Sequence, residues 1–123
     1  MDPKERLLDH YHHPQFCRAI KDPTARGTTQ NRSCGDQITW YVNVDKDYVI
    51  TEATYEASGC SFAIAGASMV ASAIQGKKAQ EVLSMTDEEL FQLVGIHPGP
   101  VRANCLLIGL QGVHAVLKKV IST

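Results

Sequence analysis

The strongest constraint on the fold is a change of hydrophobic period midway along the chain. Ile38, Trp40, Val42 and Val44 alternate with Gln37, Thr39, Tyr41 and Asn43, the period of two that a strand with one buried face requires. Asp45-Lys46-Asp47 supplies a turn and residues 49–57 carry a second, noisier alternation, so the two runs are read as a β-hairpin. Beyond Gly59 the spacing becomes helical. Residues 61–75 are rich in Ala, Gly and Ser, with Phe62, Ile64, Met69, Val70 and Ile74 interspersed, which predicts a closely packed helix stopped by Gly76-Lys77-Lys78. Thr86-Asp87-Glu88-Glu89 has the form of a capping box ahead of Leu90, Leu93 and Val94; it predicts a helix from Thr86 that ends at Pro98-Gly99-Pro100. A broad apolar stripe from Leu106 to Ile121 predicts a last amphipathic helix over residues 103–121.

Ahead of the hairpin, Asp2-Pro3 and the spacing of Leu7, Leu8 and Tyr11 predict a short helix over residues 3–12. Residues 14–33 carry Pro14, Pro23 and Gly27 without an apolar period and read as loop, with one short strand near residues 28–31. Strands followed by helices point to an α+β fold: a small antiparallel β-sheet covered on one face by helices.

The 123 residues are expected to form one domain able to bury a core without disulfide staples. A formal net charge of −1 offers no broad attraction to phosphate backbones or anionic lipid, so neither nucleic acid nor membrane is expected as a partner. The longest apolar runs read as too short and interrupted to span a bilayer of about 30 Å. The opening Met1-Asp2-Pro3-Lys4-Glu5-Arg6 leads into no apolar signal region, which makes a cytoplasmic location the expectation. In that compartment four cysteines read as metal or redox chemistry rather than as a disulfide framework.

Three of those cysteines sit beside turn residues or at predicted helix starts: Cys34 in Ser33-Cys34-Gly35-Asp36, Cys60 in Ser58-Gly59-Cys60-Ser61, and Cys105 after Arg102-Ala103-Asn104. A helix N-terminus or a nearby cation lowers a thiol pKa from about 8.5 to roughly 3.5–7.5, and the thiolate is the metal ligand and nucleophile. Gly35 and Gly59 allow tight turns near a ligand. Asp36 adds a hard oxygen to soft sulfur, so Cys34, Asp36, Cys60 and Cys105 could complete a tetrahedral Zn²⁺ site. Spacing alone leaves that reading level with three ordinary buried cysteines.

Cys34-Gly35-Asp36, Ser58-Gly59-Cys60-Ser61 running into Ala65-Gly66-Ala67-Ser68-Met69, Pro100-Val101-Arg102-Ala103-Asn104-Cys105, and the opening Leu7-Leu8-Asp9-His10-Tyr11 with Pro14 together resemble the IscU/SufU/NifU N-terminal family of iron–sulfur scaffold proteins. The resemblance runs in order over nearly the whole chain. It implies one exposed metal site made by Cys34, Asp36, Cys60 and Cys105. There a cysteine desulfurase would deliver sulfur, with Cys105 as the candidate persulfide acceptor. A [2Fe–2S] cluster would be assembled from iron and passed to iron–sulfur acceptor proteins. A carboxylate in place of a fourth thiolate gives a weaker, more exchangeable site.

Two departures bear on the branch. IscU-type members carry His where this chain has Asn104, and His97-Pro98-Gly99-Pro100-Val101-Arg102 stands in for their chaperone motif, so chaperone contact is not expected. Pro100-x-Arg102-x-x-Cys105 looks more like SufU members, which bind zinc through three Cys and an Asp and act as sulfurtransferases, although their insertion before the third cysteine is absent here. Among other residues, Cys17 reads as an incidental or buried thiol, and His10, His12 and His13 as surface groups at a helix end. His97 reads as a solvated loop histidine, and Trp40 and Met69 as core. A Cys/His/Asp catalytic triad would leave two cysteines unexplained.

Overall fold

The computed structural model describes residues 2–32 and 35–122, the side chain of Val101 excepted. In chain order the elements are α1 (Pro3–His12), β1 (Ala25–Asn31), β2 (Asp36–Val44), β3 (Ile50–Ser58), α2 (Ser61–Ile74), α3 (Ala79–Leu83), α4 (Asp87–Val94) and α5 (Pro100–Ile121). The strands form an antiparallel sheet in the order β1-β2-β3, with α2 and α5 against one face. The expected α+β architecture is the observed one.

Local signals account for the elements that the sequence placed well. The Asp2 carboxylate accepts the Glu5 N–H at 2.8 Å with Pro3 in the first turn, so α1 starts where its cap does. Thr86 and Glu89 cap α4 reciprocally. That helix stops at Gly95, in the left-handed conformation at φ 80°, and not at Pro98-Gly99-Pro100. Pro100 instead opens α5, three residues before the expected start, because a proline in the first turn has no N–H to waste.

The noise in β3 has a structural cause. Val44 pairs with Ile50 while Asn43 pairs with Glu52, so β3 spends two steps where β2 spends one. The extra residue flips the side-chain parity. Ile50 therefore faces inward, and so do Ala53 and Tyr55 beyond the irregularity, all of them fully buried.

Strand β1 is longer than expected. Its sequence, ARGTTQN, has no apolar alternation, but every residue from Ala25 to Asn31 finds a partner on β2 and α5 lies across it. Tertiary pairing overrides weak strand propensity there. The five-residue α3 had no periodic signal of its own.

The core lies between the sheet and the α2–α5 pair. Trp40 and Tyr55 are fully buried with ring centroids 5.4 Å apart, and Trp40 Nε1 donates to the Gly109 carbonyl at 2.9 Å. The two helices touch backbone to backbone. A Cβ on Gly66 would lie 2.9 Å from the Leu106 carbonyl oxygen, and one on Gly109 would lie 3.1 Å from the Ala67 Cα. By length and composition, Arg102–Ile121 could cross a membrane, contrary to the reading of its apolar runs as too short. Its apolar positions are used in the core instead, with 61% of that stretch buried.

Candidate metal centre

Strand register creates one wall of the site. Gln37 pairs with Ser58, so the first residue of β2 lies beside the turn that leads out of β3. The Asp36 carboxylate Oδ1 accepts the Cys60 N–H at 2.9 Å, and Asp36 is only 1% exposed. A buried carboxylate needs such a donor to offset its lost hydration. Gly59 makes the approach possible: at φ 134°, any Cβ there would sit 2.2 Å from Asp36 Oδ1 and 2.8 Å from its Cα.

Cys60 is the N-cap of α2, with backbone φ −74° and ψ 166° and no side-chain cap bond. Its Sγ lies 3.9 Å from Asp36 Oδ2, so the two oxygens divide their roles between the backbone donor and the thiol. Packing brings in the second sulfur. The contact of Gly66 with Leu106 sets the N-terminal halves of α2 and α5 side by side, which carries Cys105 to the carboxylate.

One ligand atom each from Asp36, Cys60 and Cys105 lies within 4.8 Å of the others. A tetrahedral zinc site with metal–sulfur bonds of about 2.3 Å separates its ligand atoms by roughly 3.5–4 Å, so small side-chain adjustments would close the set around one ion. Cys60 is partly exposed while Asp36 and Cys105 are each 1% exposed. Cys34 lies outside the described residues.

The expectation that Cys60 and Cys105 each stand at a helix start holds for Cys60 and fails for Cys105. Because α5 begins at Pro100, Cys105 stands in the second turn, beyond the reach of most of the N-terminal dipole field. Arg102, in the first turn, holds its guanidinium 5.2 Å from the centroid of the Phe62 ring. Asn104 is exposed.

His97 is exposed and meets Phe91 edge-on at 5.2 Å, apart from the cluster. Cys17 is exposed too, its thiol pKa raised by partial burial and by Glu56. His12 and His13 are exposed at the end of α1, as expected. His10 corrects the surface reading. Ser68 Oγ accepts the Gln15 N–H at 2.8 Å and lies 2.6 Å from His10 Nδ1, so one serine hydroxyl ties the end of α1 and the loop after it to α2. Burial is the main cause that holds His10 below its usual pKa; Asp9 opposes the shift and Arg6 adds to it. No apolar period or motif marks a histidine that pins one helix to another.

The family model described as the NifU-like N terminal domain matches residues 3–121. The chain is 30% identical over 115 residues to the iron–sulfur cluster assembly scaffold protein IscU of Aquifex aeolicus, covering 93% of this chain and 73% of that one. It is 34% identical over 83 residues to the zinc-dependent sulfurtransferase SufU of Bacillus subtilis, covering 68% of this chain and 55% of that one. A crystal structure of SufU from Fervidobacterium islandicum AW-1 superposes with a TM-score of 0.79 at 22% identity, covering 92% and 94% of the two chains. At that identity the likeness is one of fold.

Proposed function

Since the chain belongs to the family of NifU-like N-terminal domains, we propose that it is an iron–sulfur cluster assembly scaffold. In this reading it takes sulfur from a cysteine desulfurase, assembles a [2Fe–2S] cluster on Cys34, Asp36, Cys60 and Cys105, and passes it to acceptor proteins. It works as a single domain in a reducing compartment such as the cytoplasm. The observation that supports this best is the convergence of Asp36, Cys60 and Cys105, residues far apart in sequence, to within 4.8 Å. Iron, sulfide and cluster are cargo.

The donor set suits loose tenure. Two or three thiolates supply the soft ligands that iron–sulfur clusters prefer. Asp36 supplies an oxygen that is weaker toward soft metal and already shared with the Cys60 N–H. Sulfur arrives when a thiolate of the site attacks the outer sulfur of the desulfurase persulfide. The S–S bond of the donor breaks and its cysteine leaves as thiolate. Cys105 is the candidate acceptor. Its 1% exposure requires that the Gly59-Cys60 turn or the first turn of α5 yield before the persulfide can reach it.

A second reading, a zinc-dependent sulfurtransferase, is favoured by the exposed Asn104 beside Cys105, which leaves three cysteines and Asp36 as the donor set. Zn²⁺ would then hold those side chains until ligand exchange frees one thiolate. Anaerobic incubation with desulfurase, L-cysteine, Fe²⁺ and a thiol reductant, which supplies the electrons that take persulfide sulfur to sulfide, separates the two. A scaffold develops sulfide-to-iron charge-transfer absorption that is lost in Cys60→Ser and Cys105→Ser. A protein that stays colourless, keeps zinc and accelerates the desulfurase is the transferase.

A further inference from the structure

Strand β1 ends beside the candidate metal centre on an amide that has no partner. Asn31 stands directly opposite Asp36 in the β1–β2 pairing. Residues paired in this way project from the same face of the sheet, with Cβ atoms about 4.5–5.5 Å apart, so the Asn31 amide lies beside the carboxylate of the site. The two residues line one cleft together with Gly35 and Gln37. Asn31 Nδ2 is closed off from solvent and donates to nothing among the described residues. The next pair of the same ladder behaves differently: Gln30 and Gln37, both exposed, bond amide to amide at 2.9 Å. An exposed donor has water to fall back on, whereas a buried one left alone suffers the full loss of its hydration. The amide with the greater need of an acceptor is the one left without it.

We propose that Asn31 is a positioning residue of the metal centre, its Nδ2 donating to the Asp36 carboxylate once that group turns to hold an ion. The inference rests on the reading of Asp36, Cys60 and Cys105 as metal ligands. A carboxylate offers about four lone-pair sites. The Cys60 N–H occupies one on Oδ1. An ion shared with Cys60 Sγ, which lies 3.9 Å from Oδ2, takes one on Oδ2. Another remains there, within reach of an amide that faces it across the ladder. Ligating carboxylates are held in orientation by such outer donors. Because this bond forms only in the loaded site, it adds to metal affinity and not to the stability of the metal-free fold.

The test titrates the full chain with Zn²⁺ against a chromophoric chelator. Asn31→Leu should lower zinc affinity about tenfold. The urea midpoint of the metal-free protein should stay at or above the parent's, since an unpaired buried donor has been exchanged for an apolar group. Asn31→Ala, which cannot overfill the cleft, should show the same split. In an Asp36→Ala background, Asn31→Leu should change zinc affinity by less than about twofold, as required of a residue that acts through the carboxylate. Parent-like affinity in both variants overturns the role of Asn31 and leaves the metal centre standing. An undiminished loss in the Asp36→Ala background would assign the donor to another group and contradict the proposal. Lower metal-free stability in both variants would show that the amide already serves the empty fold, which also contradicts it. A parent chain that binds no zinc overturns the metal centre and the role of Asn31 together.

Discussion

The α2–α5 seam and the metal end lie a few residues apart and are built on opposite principles. At the seam two helix backbones meet across Gly66 and Gly109, and apolar side chains fill the space to the sheet. The polar bond from Trp40 to Gly109 is satisfied. At the metal end a buried carboxylate, a helix-capping thiol and a second-turn thiol gather around a glycine turn. The seam has no spare volume, so its tolerance is set by packing density. The candidate metal end gathers a carboxylate and two thiols within 4.8 Å of one another, so its tolerance is set by ligand geometry. One region gives the fold its rigidity, and the other, in the proposed function, keeps side chains available for exchange.

The largest effect expected from this contrast is at the seam. Gly66→Val places branched carbon where even a Cβ would stand 2.9 Å from the Leu106 carbonyl oxygen, and overpacking of this kind costs about 3 kcal/mol. Urea unfolding should register that loss. A stability equal to the parent would mean that the helices are not in backbone contact.

Gly59→Ala should separate the two regions. Its Cβ collides with Asp36 Oδ1, and φ 134° is foreign to alanine; together these should cost about 1–3 kcal/mol. Zinc affinity should fall further in proportion, by roughly 10–100-fold, as when a group that orients a ligand is lost. Competition with a chromophoric chelator measures it. Unchanged affinity would show that Asp36 does not need its present position.

The smallest effect concerns pH. His10 and His114 are both held below their ordinary value of 6.5, in each case chiefly by burial. The unfolded chain therefore binds protons more readily than the folded one as pH falls below about 6.5. Their contribution is complete above that pH and is lost as it drops through the lowered folded values. His10→Asn should flatten the slope of stability against pH below about 6.5, whereas an unaltered slope would remove His10 from the linkage.

Much of this was legible because its signals are local. Asp2-Pro3, the Thr86 capping box and the alternation from Ile38 to Val44 each carry their own chemistry within a few residues. So do Gly59-Cys60 and Cys34-Gly35-Asp36, which named the candidate ligands. What stayed hidden depends on distant partners. Strand β1 has no pattern until β2 pairs with it, and the irregularity at Val44–Ile50 scrambles a pattern that is otherwise regular. Cys105 stood one turn deeper than expected because Pro100, rather than Ala103, starts α5. The His10–Ser68 contact links residues 58 positions apart. Convergence of the ligands came from family resemblance, since spacing alone left metal and core equally open.

Zinc K-edge absorption on protein loaded with one zinc per chain tests the central claim most directly. The expected first shell is sulfur with one oxygen, and Cys60→Ser and Cys105→Ser should each exchange one sulfur for a lighter atom. A sulfur count that neither substitution lowers would contradict a shared ion between α2 and α5.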